Sequence, residues 1–265
     1  MGCSSEEKNA NYDFFNNIDT YIEEVKKIEN SMQAYTSIDD CNNFSSQHNS
    51  LGNVERAKSL CNRFGILQKH LVAIKSQVSD PCNFLNYWLN SELNQPWFSE
   101  NNITSHIYNG MESQLDSKDD YTSLDCILCN ISKDELYKMN KLYNLYKNYS
   151  KLNTILDSKS EENKQEILTL SLQCCTDYND VSYMCNSDNK DNNTKFCEQL
   201  NTFISKYDKL DEKVVGPEYD FSDYFIKLSE CPNTKIITTA VTGTFVGLIP
   251  LFGVLYKVSE LNIKL

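Results

Sequence analysis

Apolar residues recur at three- and four-residue steps over most of this chain, the period of one buried face of an α-helix. Behind Asp13, a capping residue, Phe14, Ile18, Ile22, Val25 and Ile28 form the first stripe. Asn53 caps a second, carrying Val54, Ala57, Leu60, Cys61, Phe64, Leu67, Leu71, Ile74 and Val78, and Ser79-Asp80-Pro81 ends it. Pro81 equally suits the first turn of the next segment, Cys82 to Leu93. Asp134 opens a long helix with Leu136, Met139, Leu142, Tyr143, Tyr146, Tyr149 and Leu152 near one face. Ser160, Glu162 and Asn163 start another, through Ile167, Leu168 and Leu172 to Cys174-Cys175. Phe196 to Leu210 forms the last, packing Leu200, Phe203, Ile204 and Tyr207. Residues 94–130 are less regular, and 41–53, 111–122 and 186–193 read as polar loops, the second of them exposed and acidic. With eight glycines and five prolines in the whole chain, breakers are scarce, which favours an all-α architecture.

One stretch departs from this amphipathic pattern. Ile236 to Tyr256 holds no charge, and Lys235 and Lys257 flank it. Its 21 residues span about 31 Å as a helix, the thickness of a bilayer core. It reads as a transmembrane helix. The expected organisation is a polar N-terminal segment at 1–12, a helical ectodomain at 13–210, a juxtamembrane linker at 211–235, the span at 236–256 and a short tail at 257–265. Within the span, Thr239, Gly243 and Gly247 form a small-residue face on which two spans could self-associate. Lysines do not orient it, since Lys227 and Lys235 balance Lys257 and Lys264.

Composition narrows the partners. A net charge of -12 argues against nucleic acid or an anionic lipid surface. All eleven cysteines precede the span, a density that suits an oxidising compartment. Cys3 stands alone in a polar N-terminus and is the natural odd thiol. That leaves Cys41, Cys61, Cys82, Cys126, Cys129, Cys174, Cys175, Cys185, Cys197 and Cys231 as disulfide candidates, with their connectivity open. The start has no apolar stretch of the signal-peptide kind. Gly2 and Cys3 resemble an acylation signal, but Glu6 stands where it needs Ser or Thr.

Chemistry is sparse. Cys126-Ile127-Leu128-Cys129 has zinc or redox spacing, but no second ligand pair accompanies it, and structural disulfides are the simpler reading. His48, His70 and His106 are dispersed. Phosphate loop, dinucleotide fingerprint and nucleophile elbow are all missing, so no enzyme, cofactor or metal is expected. Asn43, Asn102, Asn130, Asn148 and Asn192 head five Asn-x-Ser/Thr sites in an Asn-rich chain. Phe84, Tyr87 and Trp88 crowd one side of a helix and read as core aromatics.

CNFLNYWLN at 82–90 resembles the hallmark segment of the Plasmodium interspersed repeat superfamily, closest to its VIR-type branch. KLYNLYKNYSKLN at 141–153, CCTDYN at 174–179, Cys185, FCEQLNTFISKY at 196–207 and the apolar 238–259 follow in the family's order. The resemblance implies a variant antigen of a malaria parasite, exported toward the infected red cell, in antigenic variation and immune evasion. It also implies a mostly helical ectodomain with variable loops, meeting host receptors or antibody. The other reading is a tail-anchored trafficking or scaffolding protein whose domain faces the cytosol.

Overall fold

The computed structural model describes residues 10–31, 40–48, 51–99, 103–116 and 121–232. Within them lie eight α-helices: α1 (Ile18–Ser31), α2 (Asp40–Gln47), α3 (Val54–Ile74), α4 (Pro81–Leu93), α5 (Thr104–Leu115), α6 (Lys133–Ser158), α7 (Lys164–Ser182) and α8 (Thr194–Asp208). A 3₁₀ turn, Asp13–Asn17, leads into α1, and a two-residue hairpin pairs Val215–Gly216 with Tyr219–Asp220.

Local signals set several boundaries. The Asn53 side chain accepts the Arg56 backbone N–H at 3.0 Å and starts α3. Ser132 does the same for Glu135 at 3.3 Å at the head of α6. Pro81 opens α4, where its missing N–H costs nothing. α6 ends at Lys159, which is left-handed at φ 55°.

α6 is the central helix. It pairs with α7 as a hairpin and also packs on α1, α4 and α8, while α2, α3 and α5 form a second group against α1 and α4. A chain of aromatic contacts links these layers. Tyr21 stacks on Phe84 at 4.2 Å, and Phe14 touches Phe84 at 5.8 Å and Tyr87 at 5.4 Å. Phe15 reaches Tyr146 at 6.2 Å, and Tyr146 meets Phe203 at 5.2 Å. Phe203 leads to Tyr207 at 5.8 Å and Tyr207 to Phe225 at 5.3 Å. The offset and edge-on rings bury large apolar areas and constrain each other's orientation. Two glycines let elements approach closely. A Cβ on Gly110 would lie 2.6 Å from the His48 ring, and one on Gly216 would lie 2.4 Å from the Tyr219 ring.

Three expectations change. Met111–Leu115 is not loop but the last turn of α5: Ile107, Met111 and Leu115 share a four-residue step and are buried. Likewise 41–53 is only partly loop, since α2 buries Cys41 and Phe44. The segment from 211 to 232 is not a linker. Val214, Phe221, Phe225 and Leu228 are buried in the core, because apolar residues here have α7 and α8 to pack on. No helix among the described residues is long and apolar enough to cross a membrane. The 236–256 stretch, with Thr239, Gly243 and Gly247, lies outside the described residues.

Phe84 is fully buried between Tyr21 and Phe14. Phe84→Ala is therefore expected to lower unfolding free energy by about 3–5 kcal/mol, read as a reduced midpoint in chemical denaturation. A change within error would show that the ring contacts do not hold α1 to α4.

Candidate display surface

Four disulfides join pairs of described residues: Cys41–Cys61, Cys82–Cys126, Cys175–Cys231 and Cys185–Cys197. Cys129 is disulfide-bonded too. Cys126 and Cys129 are thus not a zinc or dithiol pair, since Cys126 is committed to Cys82 on α4. Of these four, the bonds spanning 44 and 56 residues remove the most unfolded-state freedom, about 4 kcal/mol each in a chain-entropy account. Cys174, read from sequence as a bridge candidate, instead carries a free, buried thiol. It neighbours Cys175 along α7, and consecutive helical residues point in different directions, so only Cys175 meets Cys231. Burial and the nearby Asp177 charge push the Cys174 thiol well above its usual range, which keeps it unreactive. Cys3 lies outside the described residues.

The core aromatics divide their tasks. Phe84 and Tyr87 sit in the ring chain, whereas Trp88 faces α3, with the Arg63 guanidinium 5.4 Å from its ring centroid. The asparagines of the same helix organise the next segment. Residues 121–132 have neither helix nor strand, so their backbone groups need side-chain partners. Asn86 Oδ1 accepts the Cys129 N–H at 2.9 Å, and Asn90 Nδ2 donates to the Cys129 carbonyl at 3.0 Å. Asn90 Oδ1 accepts both the Ile131 N–H and the buried Thr104 hydroxyl, each at 3.0 Å. One buried amide thereby ties α4, α5 and the extended segment together. Upstream, the fully buried Gln68 donates to Glu112 at 2.7 Å and Ser123 at 3.1 Å, and accepts the Tyr121 hydroxyl at 2.8 Å.

With the inner surface committed, the outer one is mostly polar. Residues 186–192 are exposed and bracketed by Cys185–Cys197. Their turn is held from within: Asn193 donates to the Asn189 carbonyl at 3.0 Å and accepts from Lys138 at 3.0 Å. Asn43, Asn130 and Asn192 are exposed and Asn148 is half-buried, while Asn102 lies outside the described residues. Asn130 also accepts the Thr104 backbone N–H at 2.9 Å. His70 Nδ1 sits 2.8 Å from Glu24, and His48 stacks on Phe44. No group of His, Cys, Asp or Glu among the described residues could hold a metal ion. Exposed aromatics are the feature that sequence reading missed: Trp97, Tyr137 and Tyr183 all reach solvent.

A family model described as Plasmodium vivax Vir protein matches residues 9–169, more than half of the chain. The chain belongs to the Vir family. It is thereby a member of a Plasmodium variant-antigen family, with a mostly helical, disulfide-framed domain. The match covers α1 to α6, including the Asn86 and Asn90 clamp, and ends inside α7. The Vir-type core nevertheless continues through α8 to Leu228. No curated protein and no solved structure matches the chain.

Two outcomes follow from this geometry. Asn90→Ala strands the Ile131 N–H, the Cys129 carbonyl and the Thr104 hydroxyl, and is expected to cost about 3 kcal/mol. Faster hydrogen exchange should appear at 129–131; unchanged exchange there would discount the clamp. In unreduced protein, Cys174 should resist alkylation when folded and react once denatured, with mass mapping placing any labelled thiol of residues 41–231 at that position. Label at Cys175 or Cys231 instead would contradict the pairing.

Proposed function

We propose that this Vir-family chain is a displayed variant antigen, exported toward the infected red cell and anchored by the apolar 236–256 run. In this reading it works by antigenic variation and immune evasion, and by contact with host receptors or antibody, without catalysis. The observation that carries the reading is the disulfide frame, which reaches from α2 to the end of the domain and suits maturation in an oxidising space. It is joined to a polar outer surface whose loops bear little of the core.

The exit of the chain adds a geometric expectation. Cys231 is bonded to Cys175, and Asn179 donates to the Pro232 carbonyl at 3.0 Å, so the chain leaves the domain beside α7. Ile236 follows four residues later, a reach of at most about 14 Å. The α7 flank then faces the bilayer and the α2–α3–α5 group points away from it.

Surface labelling tests the proposal. An antibody against 186–193 should stain intact infected cells, and external protease should remove the signal. Staining only after permeabilisation, with the cysteines reduced, would favour the tail-anchored scaffolding alternative.

A further inference from the structure

The chain has two tryptophans and two arginines, Trp88, Trp97, Arg56 and Arg63, and the fold gathers all four at one place. Arg56 and Arg63 stand seven residues apart on α3, two turns along one face. After α4, Gln95-Pro96-Trp97-Phe98 makes a tight turn closed by the Phe98 N–H donating to the Gln95 carbonyl at 3.0 Å, with proline at its second position. The turn buries Phe98 and leaves Trp97 41 % exposed, with the Arg56 guanidinium 4.2 Å from the indole centroid. Arg63 instead binds Glu92 through two parallel hydrogen bonds of 2.7 and 2.5 Å.

Between these groups lies a pocket of about 240 Å³ floored by Leu60 and Phe98. Its rim carries Glu55, Arg56, Ser59 and Trp97. Glu55 and Arg56 take part in no ion pair among the described residues, whereas Arg63 and Glu92 neutralise one another. Two arginines and two glutamates leave the site without net charge in a chain of charge -12. An anion would meet Glu55 and Glu92, and a cation would meet Arg56 and Arg63. The ligand that suits such a rim is neutral, with groups that donate and accept side by side and one flat apolar face. Sugar hydroxyls donate to a carboxylate and accept from a guanidinium, and the C–H face of a pyranose ring lies on an indole. The volume falls below the roughly 300–1,000 Å³ of drug-sized pockets, which suits one ring rather than a chain of them.

We propose that this pocket is a binding site for a neutral pyranose residue, packed against the part of the Trp97 indole that Arg56 leaves exposed and hydrogen-bonded by Arg56, Glu55 and Ser59. The site goes beyond the display role, because it would exist whether or not the chain reaches the cell surface.

The test uses the full chain in a sugar-free detergent, with methyl glucoside, methyl galactoside, methyl mannoside and N-acetylglucosamine as probes. Saturation-transfer NMR and tryptophan fluorescence report binding. At least one neutral sugar should bind saturably, with a dissociation constant on the order of 1 mM for so small a ligand. Trp97→Ala should weaken it at least about tenfold at an unchanged melting temperature. Arg56→Lys, which keeps the charge but loses the planar fork, should do likewise, and it guards against a folding defect at Trp97. Glucuronate and glucosamine should bind more weakly than the neutral sugars. Absence of saturable binding by all four probes, binding untouched in both variants, or a preference for either charged sugar would each overturn the proposal. Display at the cell surface plays no part in these readouts, so this site and the antigen reading fail separately.

Discussion

The line of aromatic rings from Tyr21 through Phe84, Phe14, Phe15, Tyr146, Phe203 and Tyr207 to Phe225 is the contact on which the rest of the domain depends. It passes through α1, α4, α6 and α8 and ends in the segment after α8. Each ring is flat, stiff and large, so it joins two helices at a defined orientation where a leucine would tolerate several. Helices of modest intrinsic stability become mutually dependent through it, because removing one ring leaves a cavity that neighbouring rings fill poorly.

Polar order serves what the rings cannot reach. Residues 121–132 have no ladder of their own, and the side chains of Asn86, Asn90 and Gln68 take up several of their backbone and side-chain polar groups. Disulfides then tie the periphery to the core, including the C-terminal segment that Cys231 holds on α7. Ion pairs matter less. Pairs such as Lys206–Asp19 and Lys213–Asp157 lie at the surface, where exposure and salt leave each worth about 1 kcal/mol or less. Lys141 differs in being half-buried, and it bridges α6 to both Asp177 and Asp180 at 2.7 Å. Burial still holds the Asp177 carboxyl above its ordinary range despite that lysine, while the two carboxylates hold the Lys141 ammonium above its own despite burial.

Such a division lets function and fold vary separately. The core depends on rings, buried amides and cysteines, and the exposed 186–192 turn contributes none of these. A Vir-family chain can therefore change its outer face while keeping its interior. The Trp97 turn is an exception, since it combines an exposed aromatic with a buried Phe98 and belongs to surface and core at once.

Periodicity alone determined the helical class, the stripes of α1, α3, α4, α6, α7 and α8, and the starts at Asn53 and Pro81. These are local properties: a 3.6-residue repeat and a capping side chain act within a few positions. The density of cysteines likewise pointed to a bridged domain. Tertiary structure decided the rest. Cys175 rather than Cys174 pairs with Cys231 because only one of two adjacent helical side chains can face the returning segment. Met111 and Leu115 are helical because α5 has α2 and α3 to pack on, and 211–232 is core because α7 and α8 offer it an apolar surface. Asn90 looked like one more asparagine in an Asn-rich chain, and its role emerged only when α5 and the extended segment were brought to it. Arg56 and Trp97 are 41 residues apart, and their meeting depends on where α3 and the turn after α4 lie in space, which no local pattern encodes.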